Sequence, residues 1–201
     1  MDPMSAIDPL KLGRILWPDV RFYKQQEEII HSVLWNDETY VPAGNMLGKD
    51  FVAGFIAVTF FLIFPESNQQ HTRVITTSVK DDHLRVLWGE IGRFIQTAQS
   101  PLEIKKCGPL QVNHRDIRKV AYSQQCPVCY IRGMVSERGE GLAGHHATNT
   151  LAIIDEASGV DDLVYTQIAT WADRILILGN PNPCSNFFFH AVKAGDLLAK
   201  E

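Results

Sequence analysis

The sequence predicts an α/β fold in which a mostly parallel sheet is flanked by helices. Two mainly apolar runs, Thr150–Ile154 and Arg174–Leu178, have the composition of strands buried on both faces, as parallel strands are. Helical patterns alternate with predicted strands, which is the order of strand–helix–strand units. A glycine-containing loop also joins a short strand to a strongly apolar helix. These three observations indicate the α/β class.

The predicted elements follow an N-terminal arm. Residues 1–20 contain three prolines and are predicted to wrap around a domain that spans residues 21–201. Apolar side chains recur at helical spacing in the first helix, and two aspartates open the third, where they favour the helix dipole. The predicted helices are Arg21–Trp35, Lys49–Phe64, Asp81–Gln96, Asp161–Trp171 and Phe187–Leu198. The predicted strands are Thr39–Pro42, Thr72–Thr77, Thr150–Ile154 and Arg174–Leu178, with short ones at Gln111–Asn113, Lys119–Ser123 and Tyr130–Val135.

Composition restricts the classes of function. The 201 residues are 45% hydrophobic and 21% charged, which is ordinary for a globular protein and excludes disorder and coiled coil. The net charge of −4 does not indicate a nucleic-acid partner, so any contact with nucleic acid requires a local basic patch. Four cysteines without a signal peptide indicate a reducing, cytoplasmic compartment. The longest uncharged run, Phe51–Pro65, is shorter than the roughly 20 residues of a membrane-spanning helix, so it is interpreted as a buried core helix.

The loop before that helix has the pattern of a phosphate-binding loop. It reads AGNMLGKD, against a template of Gly, four residues, Gly, Lys and Ser or Thr. Its glycines supply backbone freedom, and Lys49 is predicted to reach the phosphates at the amino end of the helix. Asp50 stands where a hydroxyl is usual, and is expected to bind Mg²⁺. The loop residues are Ala43, Gly44, Asn45, Met46, Leu47, Gly48, Lys49 and Asp50. A turn that merely starts a helix, with a solvated Lys49, is the alternative.

Two adjacent carboxylates end the strand at Thr150–Ile154. Such a strand delivers Asp155 and Glu156 to the carboxyl edge of the sheet, where α/β proteins bind ligands. In a P-loop ATPase the first carboxylate holds the Mg²⁺ shell and the second activates water. A solvated acidic turn is the alternative. Two further candidates are Asn180, for the γ-phosphate or the attacking water, and Gln26, whose amide matches the adenine edge.

The order of these motifs resembles the N-terminal ATPase domain of bacteriophage large terminase subunits, the motors that package viral DNA. The segments that carry the resemblance are YKQQEEII (Tyr23–Ile30), PAGNMLGKDF (Pro42–Phe51), TTSVKDDHLRVLWGEI (Thr76–Ile91), GLAGHHATNTLAIIDEASG (Gly141–Gly159) and ILGNPNPCSNFF (Ile177–Phe188). The resemblance implies a RecA-like P-loop fold of the additional-strand, catalytic-glutamate type. It also implies ATP, Mg²⁺, double-stranded DNA, a portal protein, a small terminase subunit, a homo-oligomeric ring and the host cytoplasm, with no membrane.

The same resemblance implies roles for individual residues. Gln26 corresponds to the adenine-contacting glutamine, with Gln25 as the fallback. Lys49 corresponds to the Walker A lysine, Asp155 to the Walker B aspartate and Glu156 to the catalytic glutamate. Gly179 and Asn180 occupy the position of the coupling motif.

The chain departs from the terminase pattern in three respects. Many terminases carry an arginine in or beside the loop, and none lies between residues 42 and 51; Asp50 replaces the usual hydroxyl residue. Charge stabilisation must then come from another group, in this chain or in a neighbouring subunit. The candidates are Arg132, Arg138, His145 and His146. The third departure is the lack of an RNase H-like nuclease domain, so no DNA cleavage is expected.

Two weaker signals are left with open interpretations. Cys126 and Cys129 form a C-x-x-C that, with Cys107 and His114, suggests either a zinc site or a loop with free thiols. A basic cluster suggests either a DNA backbone contact or a solvated run of charge. It consists of Lys105, Lys106, Arg115, Arg118 and Lys119. For the whole chain, the alternatives to a packaging ATPase are the first RecA-like domain of a helicase and a catalytically weak nucleotide-binding assembly module.

Overall fold

Seven strands form one sheet in the computed structural model of the protein, which describes residues 8–44, 47–64, 71–99, 110–119, 129–135, 141–182 and 185–198. The strands are β1 Glu38–Pro42, β2 Thr72–Ser78, β3 Leu110–Asn113, β4 Asp116–Lys119, β5 Tyr130–Val135, β6 Asn149–Asp155 and β7 Arg174–Gly179. The helices are α1 Pro9–Leu16, α2 Lys24–Trp35, α3 Lys49–Ile63, α4 Asp81–Thr97, α5 Asp162–Ala169 and α6 Phe187–Leu198.

The strands lie in the order β1-β7-β6-β2-β5-β4-β3. The first five are parallel, whereas β4 runs antiparallel to β5 and β3 antiparallel to β4. The prediction of a mostly parallel α/β sheet is confirmed. The strand that leads into the glycine-containing loop is separated from β6 by one inserted strand, β7. The carboxyl ends of all five parallel strands meet at one edge.

Helices α1 to α4 form the larger core against one face of the sheet. Helix α3 is buried at every position from Val52 to Ile63. The interpretation of this apolar run as a core helix is therefore confirmed as far as Ile63, where the helix ends. None of the helices in the described residues is both long enough and apolar enough to cross a membrane.

An aromatic cluster stabilises that core. Phe55 is fully buried and lies edge-on or tilted against Trp17, Phe22 and Phe94, with ring centroids 4.6–5.7 Å apart. The indole nitrogen of Trp17 donates a hydrogen bond to the Phe94 carbonyl at 2.8 Å. A Cβ on Gly13 of α1 would lie 2.7 Å from the Phe55 ring, so a glycine is needed where α1 crosses α3.

The smaller core covers the opposite face of β6 and β7. It contains Val164 and Ile168 of α5, and Phe188 of α6. Trp171 closes it, since its indole nitrogen donates a 2.6 Å hydrogen bond to the Leu142 carbonyl. Trp171 and Phe188, like Phe94 in the larger core, lie in the packed interior, and Trp88 packs against it.

Two elements differ from the sequence prediction. Residues 9–16, predicted as part of an arm, form α1 and bury Leu10, Leu12 and Leu16 in the larger core. The strand predicted at Lys119–Ser123 is wrong at its start, because β4 is Asp116–Lys119; residues 120–123 lie outside the described part. Arg115 has a φ of 53°, which closes a tight turn between β3 and β4 without any glycine to signal it.

Candidate active site

Lys49, Asp155 and Glu156 meet at the carboxyl edge of the sheet. Gly48, with a left-handed φ of 75°, ends the loop after β1, and α3 begins at Lys49. Strand β6 ends at Asp155. The Lys49 ammonium nitrogen lies 3.2 Å from Asp155 Oδ1 and donates a hydrogen bond to Glu156 Oε1. Two motifs that are about 105 residues apart in sequence thus form one site.

The ammonium group of Lys49 is held charged although it is buried. Its side chain is 8% exposed, and burial alone lowers the pKa of an amine. The hydrogen bond to Glu156 and the charges of both carboxylates outweigh that effect, so the pKa of Lys49 is raised. The alternative of a solvated Lys49 is therefore wrong, because this side chain is enclosed and doubly paired.

The aspartates of the site are held closer to their neutral form. Burial raises the pKa of Asp155 to about 6, with Lys49 opposing the shift and Asp50 adding to it. Burial also raises the pKa of Asp50, again opposed by Lys49 and reinforced by Glu156. Three carboxylates thus share one buried ammonium, so the site has more negative charge than its own cations balance.

This charge balance fits a divalent cation. Asp155 Oδ1 is buried and pairs with the Lys49 ammonium 3.2 Å away, but it accepts no well-formed hydrogen bond from the described residues. In the described part of the chain no three or more His, Cys, Asp and Glu side chains cluster as a ready-made metal cage. Mg²⁺ at a phosphate site needs only one or two carboxylates, because it keeps several waters and takes phosphate oxygens. Asp155 and Asp50 are therefore suitable donors for it.

Glu156 is fixed by its backbone as well as by its ion pair. Its φ and ψ of 53° and 44° are left-handed, which is uncommon for a residue with a side chain and costs roughly 1–3 kcal/mol. A short 3₁₀ turn, Ala157–Gly159, follows it directly. His83, in the first turn of α4, lies with Nδ1 3.8 Å from Glu156 Oε1. The sequence analysis missed His83, although a helix start just after a parallel strand is a position that faces this edge.

The rest of the loop is only partly described. Ala43 N donates a 3.0 Å hydrogen bond to the Gly179 carbonyl, which ties the start of the loop to the end of β7. Gly44 and Leu47 are exposed, whereas Asn45 and Met46 lie outside the described residues. No contact here assigns a ligand role to these residues, and their part in nucleotide binding stays a prediction.

Gln26 lies against the loop. It is buried, and its amide nitrogen is 3.1 Å from the point where a Cβ on Gly48 would lie. Its side-chain oxygen accepts a hydrogen bond from Tyr23 N, which closes the amino end of α2. Gln25 is exposed. The structure thus brings Gln26 next to the loop, and leaves its contact with adenine as a prediction.

Gly179 and Asn180 lie between the two motifs. A Cβ on Gly179 would be 3.1 Å from the backbone nitrogen of Ala157, so β7 ends against the turn that follows Glu156. Asn180 comes next at the same edge, half-buried, and its backbone oxygen accepts a hydrogen bond from Asn182 N. The inserted strand therefore touches both the loop and the turn that carries Glu156.

Two of the candidates for an additional cation, His145 and Arg132, are paired within the chain. His145 precedes β6, whose seven residues span roughly 20 Å to Asp155. Both its ring nitrogens are occupied, by Tyr130 Oη at 2.8 Å and the Gly141 carbonyl at 2.9 Å, and burial lowers its pKa. Arg132 pairs with Asp116 at 3.0 Å. His145 therefore cannot reach the phosphates in its own subunit; His146 is exposed beside it, and Arg138 lies outside the described residues.

The three members of the basic cluster that the structure describes all have partners within the chain. Arg115 forms a bidentate pair with Asp81, and Arg118 pairs with Asp116 at 2.6 Å. Lys119 is fully buried and donates a 2.8 Å hydrogen bond to the Phe64 carbonyl at the end of α3. A solvated charge run is thus the wrong description for these three residues. Lys105 and Lys106 lie outside the described part.

The suggested zinc ligands can be followed only in part. Cys126 and Cys107 lie outside the described residues, and His114 is exposed in the turn between β3 and β4. Cys129 is buried, and its sulfur accepts a hydrogen bond from Thr72 N at 3.2 Å. This contact indicates a packing role for Cys129.

Acidification is expected to stabilise the chain through Asp155. Its pKa is about 6 when folded and 3.8 when unfolded, so the folded state binds more protons between these values. The free energy of unfolding therefore rises as the pH falls from 7 to 5 by about 1 kcal/mol, which is part of the roughly 3 kcal/mol that the full shift provides at still lower pH. Urea unfolding at both pH values measures the free energy of unfolding of wild type and of Asp155→Asn, and the difference between the two proteins isolates the contribution of Asp155. If that difference is the same at pH 7 and pH 5, the pKa of Asp155 is not raised in the folded state.

Comparison with known proteins agrees with this geometry. The chain is 30% identical to a probable terminase large subunit of Enterobacteria phage P7, over an alignment 196 residues long that covers 85% of this chain and 35% of the relative. This chain thus spans about a third of that protein. No family model matches the chain.

Solved structures share the fold. The large terminase ATPase domain of Thermus phage P74-26 superposes with a TM-score of 0.63 at 16% identity, over 90% of this chain and 72% of that one. A mutant of the same domain superposes with a TM-score of 0.65 at 17% identity, over the same shares of the two chains. The large terminase of bacteriophage HK97 superposes with a TM-score of 0.63 at 14% identity, over 94% of this chain and 40% of that one. The chain is therefore similar to phage large terminases over most of its own length, and it shares the fold of the large terminase ATPase domains.

Proposed function

We propose that this chain is the ATP-hydrolysing motor domain of a phage or prophage large terminase. The observation that carries the proposal is the convergence of Lys49, Asp155 and Glu156 at the carboxyl edge of the sheet. One buried ammonium beside two carboxylates supplies a phosphate ligand, a metal ligand and a base for water. Phosphoryl transfer to water needs these three groups.

In this mechanism the side chains exchange partners when nucleotide binds. Lys49 leaves the two carboxylates and pairs with the phosphates, where the amino end of α3 adds its dipole. Glu156 then has a free carboxylate oxygen, which orients a water and accepts its proton. Asp155, with Asp50, holds Mg²⁺, which when bound neutralises charge on the phosphate oxygens. Gln26 contacts adenine, Asn180 senses the γ-phosphate, and residues 43–50 wrap the phosphates.

Several wider roles belong to the same proposal and rest on the relationship to large terminases. The energy of hydrolysis would drive double-stranded DNA into a procapsid in the host cytoplasm, through contacts with a portal protein and a small terminase subunit. The subunits would form a ring, in which a neighbour supplies the missing cationic side chain. Residues 21–201 would constitute this ATPase domain, preceded by residues 1–20.

The replacement of Lys49 by alanine is expected to weaken Mg²⁺-ATP binding at least tenfold, about 1.4 kcal/mol. The reason is that Lys49 is the buried cation at the start of α3, where phosphate would lie. Isothermal titration of wild type and the variant measures the loss. Lys24→Ala is the matched control, because Lys24 is 85% exposed in α2 and makes only a surface pair with Glu28.

Each outcome of this titration has a definite meaning. Binding by wild type and Lys24→Ala, with a tenfold loss in Lys49→Ala, supports the nucleotide site. Equal affinity in all three proteins would show that Lys49 does not contribute to nucleotide binding. No binding by any of them would reject the ATPase proposal for this chain and favour an assembly module, since the two carboxylates on Lys49 would then be a permanent structural pair.

A further inference from the structure

Two buried polar side chains end neighbouring strands at the carboxyl edge. Ser78 is the last residue of β2 and Asp155 the last residue of β6, and they are register partners in the parallel pair. Neighbouring strands lie roughly 4.8 Å apart. The hydroxyl group and the carboxylate therefore lie side by side, if both point to the same face of the sheet.

The packing of the preceding residues shows that they do. Along β2, Val74 belongs to the larger core and Ile75 to the smaller one; along β6, Ile153 belongs to the larger core and Ile154 to the smaller one. Side chains alternate along a strand, so Ser78 and Asp155 both point to the face of the larger core, which α3 covers. The contact between Asp155 and Lys49, the first residue of α3, agrees with this direction.

Neither side chain has its hydrogen-bonding capacity filled. Each residue is 1% exposed, and Ser78 Oγ has no hydrogen-bond partner among the described residues. Asp155 Oδ1 pairs with the Lys49 ammonium at 3.2 Å but accepts no well-formed hydrogen bond there. Buried polar atoms with such spare capacity occur where a water, ion or ligand provides the partner. The hydroxyl and the carboxylate on these adjacent residues can share one bridging group.

The loop sequence indicates what this bridging group is. Asp50 occupies the place where a P-loop has a hydroxyl residue, so the loop itself offers no hydroxyl to the metal. Mg²⁺ keeps several of its waters when it binds at a phosphate site, and each of those waters needs polar partners. Ser78 brings a hydroxyl to the site from a different strand.

We propose that Ser78 is a positioning residue for the metal, and that it and Asp155 together hold one water of the Mg²⁺ hydration shell. This inference rests on the proposed nucleotide site. Ser78 Oγ accepts a hydrogen bond from the metal-bound water, and the Asp155 carboxylate accepts the second. The serine hydroxyl thereby replaces the one that is missing from the loop.

Thr72 provides a matched control on the same strand. It lies at the amino end of β2 on the same face as Ser78, it is fully buried, and its hydroxyl also has no partner among the described residues. Six residues separate it from Ser78, a distance of roughly 20 Å along the strand. Removing either hydroxyl should perturb folding similarly, but only Ser78 is near the metal.

The test is a Mn²⁺ titration of the full chain in the presence of saturating ADP, followed by electron paramagnetic resonance. Ser78→Ala should weaken Mn²⁺ binding about tenfold, the effect usual for residues that hold a metal-bound water. Ser78→Thr, which keeps the hydroxyl, should restore most of the affinity, and Thr72→Val should bind as wild type does. ADP affinity measured in EDTA should be the same in all four proteins.

The outcomes separate this inference from the proposed function. Unchanged Mn²⁺ affinity in Ser78→Ala, with ADP still bound, overturns the role of Ser78 and leaves the nucleotide site intact. An equal loss of Mn²⁺ affinity in Thr72→Val would assign the effect to folding and would also overturn the proposed role of Ser78. Failure of wild type to bind ADP would reject the proposed function and this inference together.

Discussion

Replacing Glu156 by glutamine is expected to reduce ATP turnover by a factor of about 10²–10⁴, the usual contribution of a general base. An amide accepts a hydrogen bond but cannot take the proton of the attacking water. The same change removes one of the two carboxylates that hold Lys49 in the nucleotide-free protein. Nucleotide binding should therefore be preserved or tightened while turnover is lost.

Turnover and binding are best measured together for this variant. Steady-state ATP hydrolysis is measured at several protein concentrations, because turnover that needs a neighbouring subunit rises with concentration. Titration with ATP gives the binding affinity. Glu28→Gln is the control, because Glu28 is exposed in α2 and pairs only with Lys24. Turnover in Glu156→Gln at the wild-type rate would show that another group activates the water. Loss of binding would show that Glu156 has a structural role.

The replacement of Phe55 by alanine is expected to lower the free energy of unfolding by about 3–5 kcal/mol, the range for a buried phenylalanine. Phe55 is fully buried where α1, α3 and α4 meet, and its ring contacts Trp17, Phe22 and Phe94. The cavity left behind would loosen α3, whose first residue is Lys49. Nucleotide affinity should fall as well.

Urea unfolding monitored by circular dichroism measures this destabilisation. Val86→Ala on α4 is the control, since Val86 is 57% exposed and its truncation should change the free energy of unfolding by less than about 0.5 kcal/mol. A loss below about 1 kcal/mol in Phe55→Ala would mean that the site collapses around the smaller side chain, and that the aromatic cluster does not anchor α1 to α3.

The elements with strong patterns could be predicted from the sequence. Helix α3 and strands β6 and β7 combine long apolar runs with clear ends, so local pattern and tertiary burial agree. Helix α1 was not predicted, because its eight residues begin at a proline in a proline-containing segment and its stability comes from packing on Phe55 rather than from propensity. The turn at Arg115 lacks glycine, so nothing local marked the hairpin.

The site was predictable only where a short motif carries the chemistry. The phosphate-binding pattern and the paired carboxylates pointed to Lys49, Asp155 and Glu156, and the structure brings these three together. Ser78 and His83 were not found, because their nearness to the carboxylates depends on the register of β2 with β6 and on where α4 begins. The ion pair between Arg115 and Asp81 likewise depends on a contact between distant segments, which a cluster of basic residues in the sequence does not predict.

The pairing of Lys49 with two carboxylates also determines which anions can enter. Small anions such as inorganic phosphate or chloride would have to separate the ammonium from Asp155 and Glu156 and leave both carboxylates without a cation. On the proposed function, a divalent metal that arrives with a nucleotide would replace the lysine as partner of Asp155 in the same event. The paired site would then favour metal-bound polyphosphate over free phosphate, and inorganic phosphate in the surrounding solution would be a weak inhibitor.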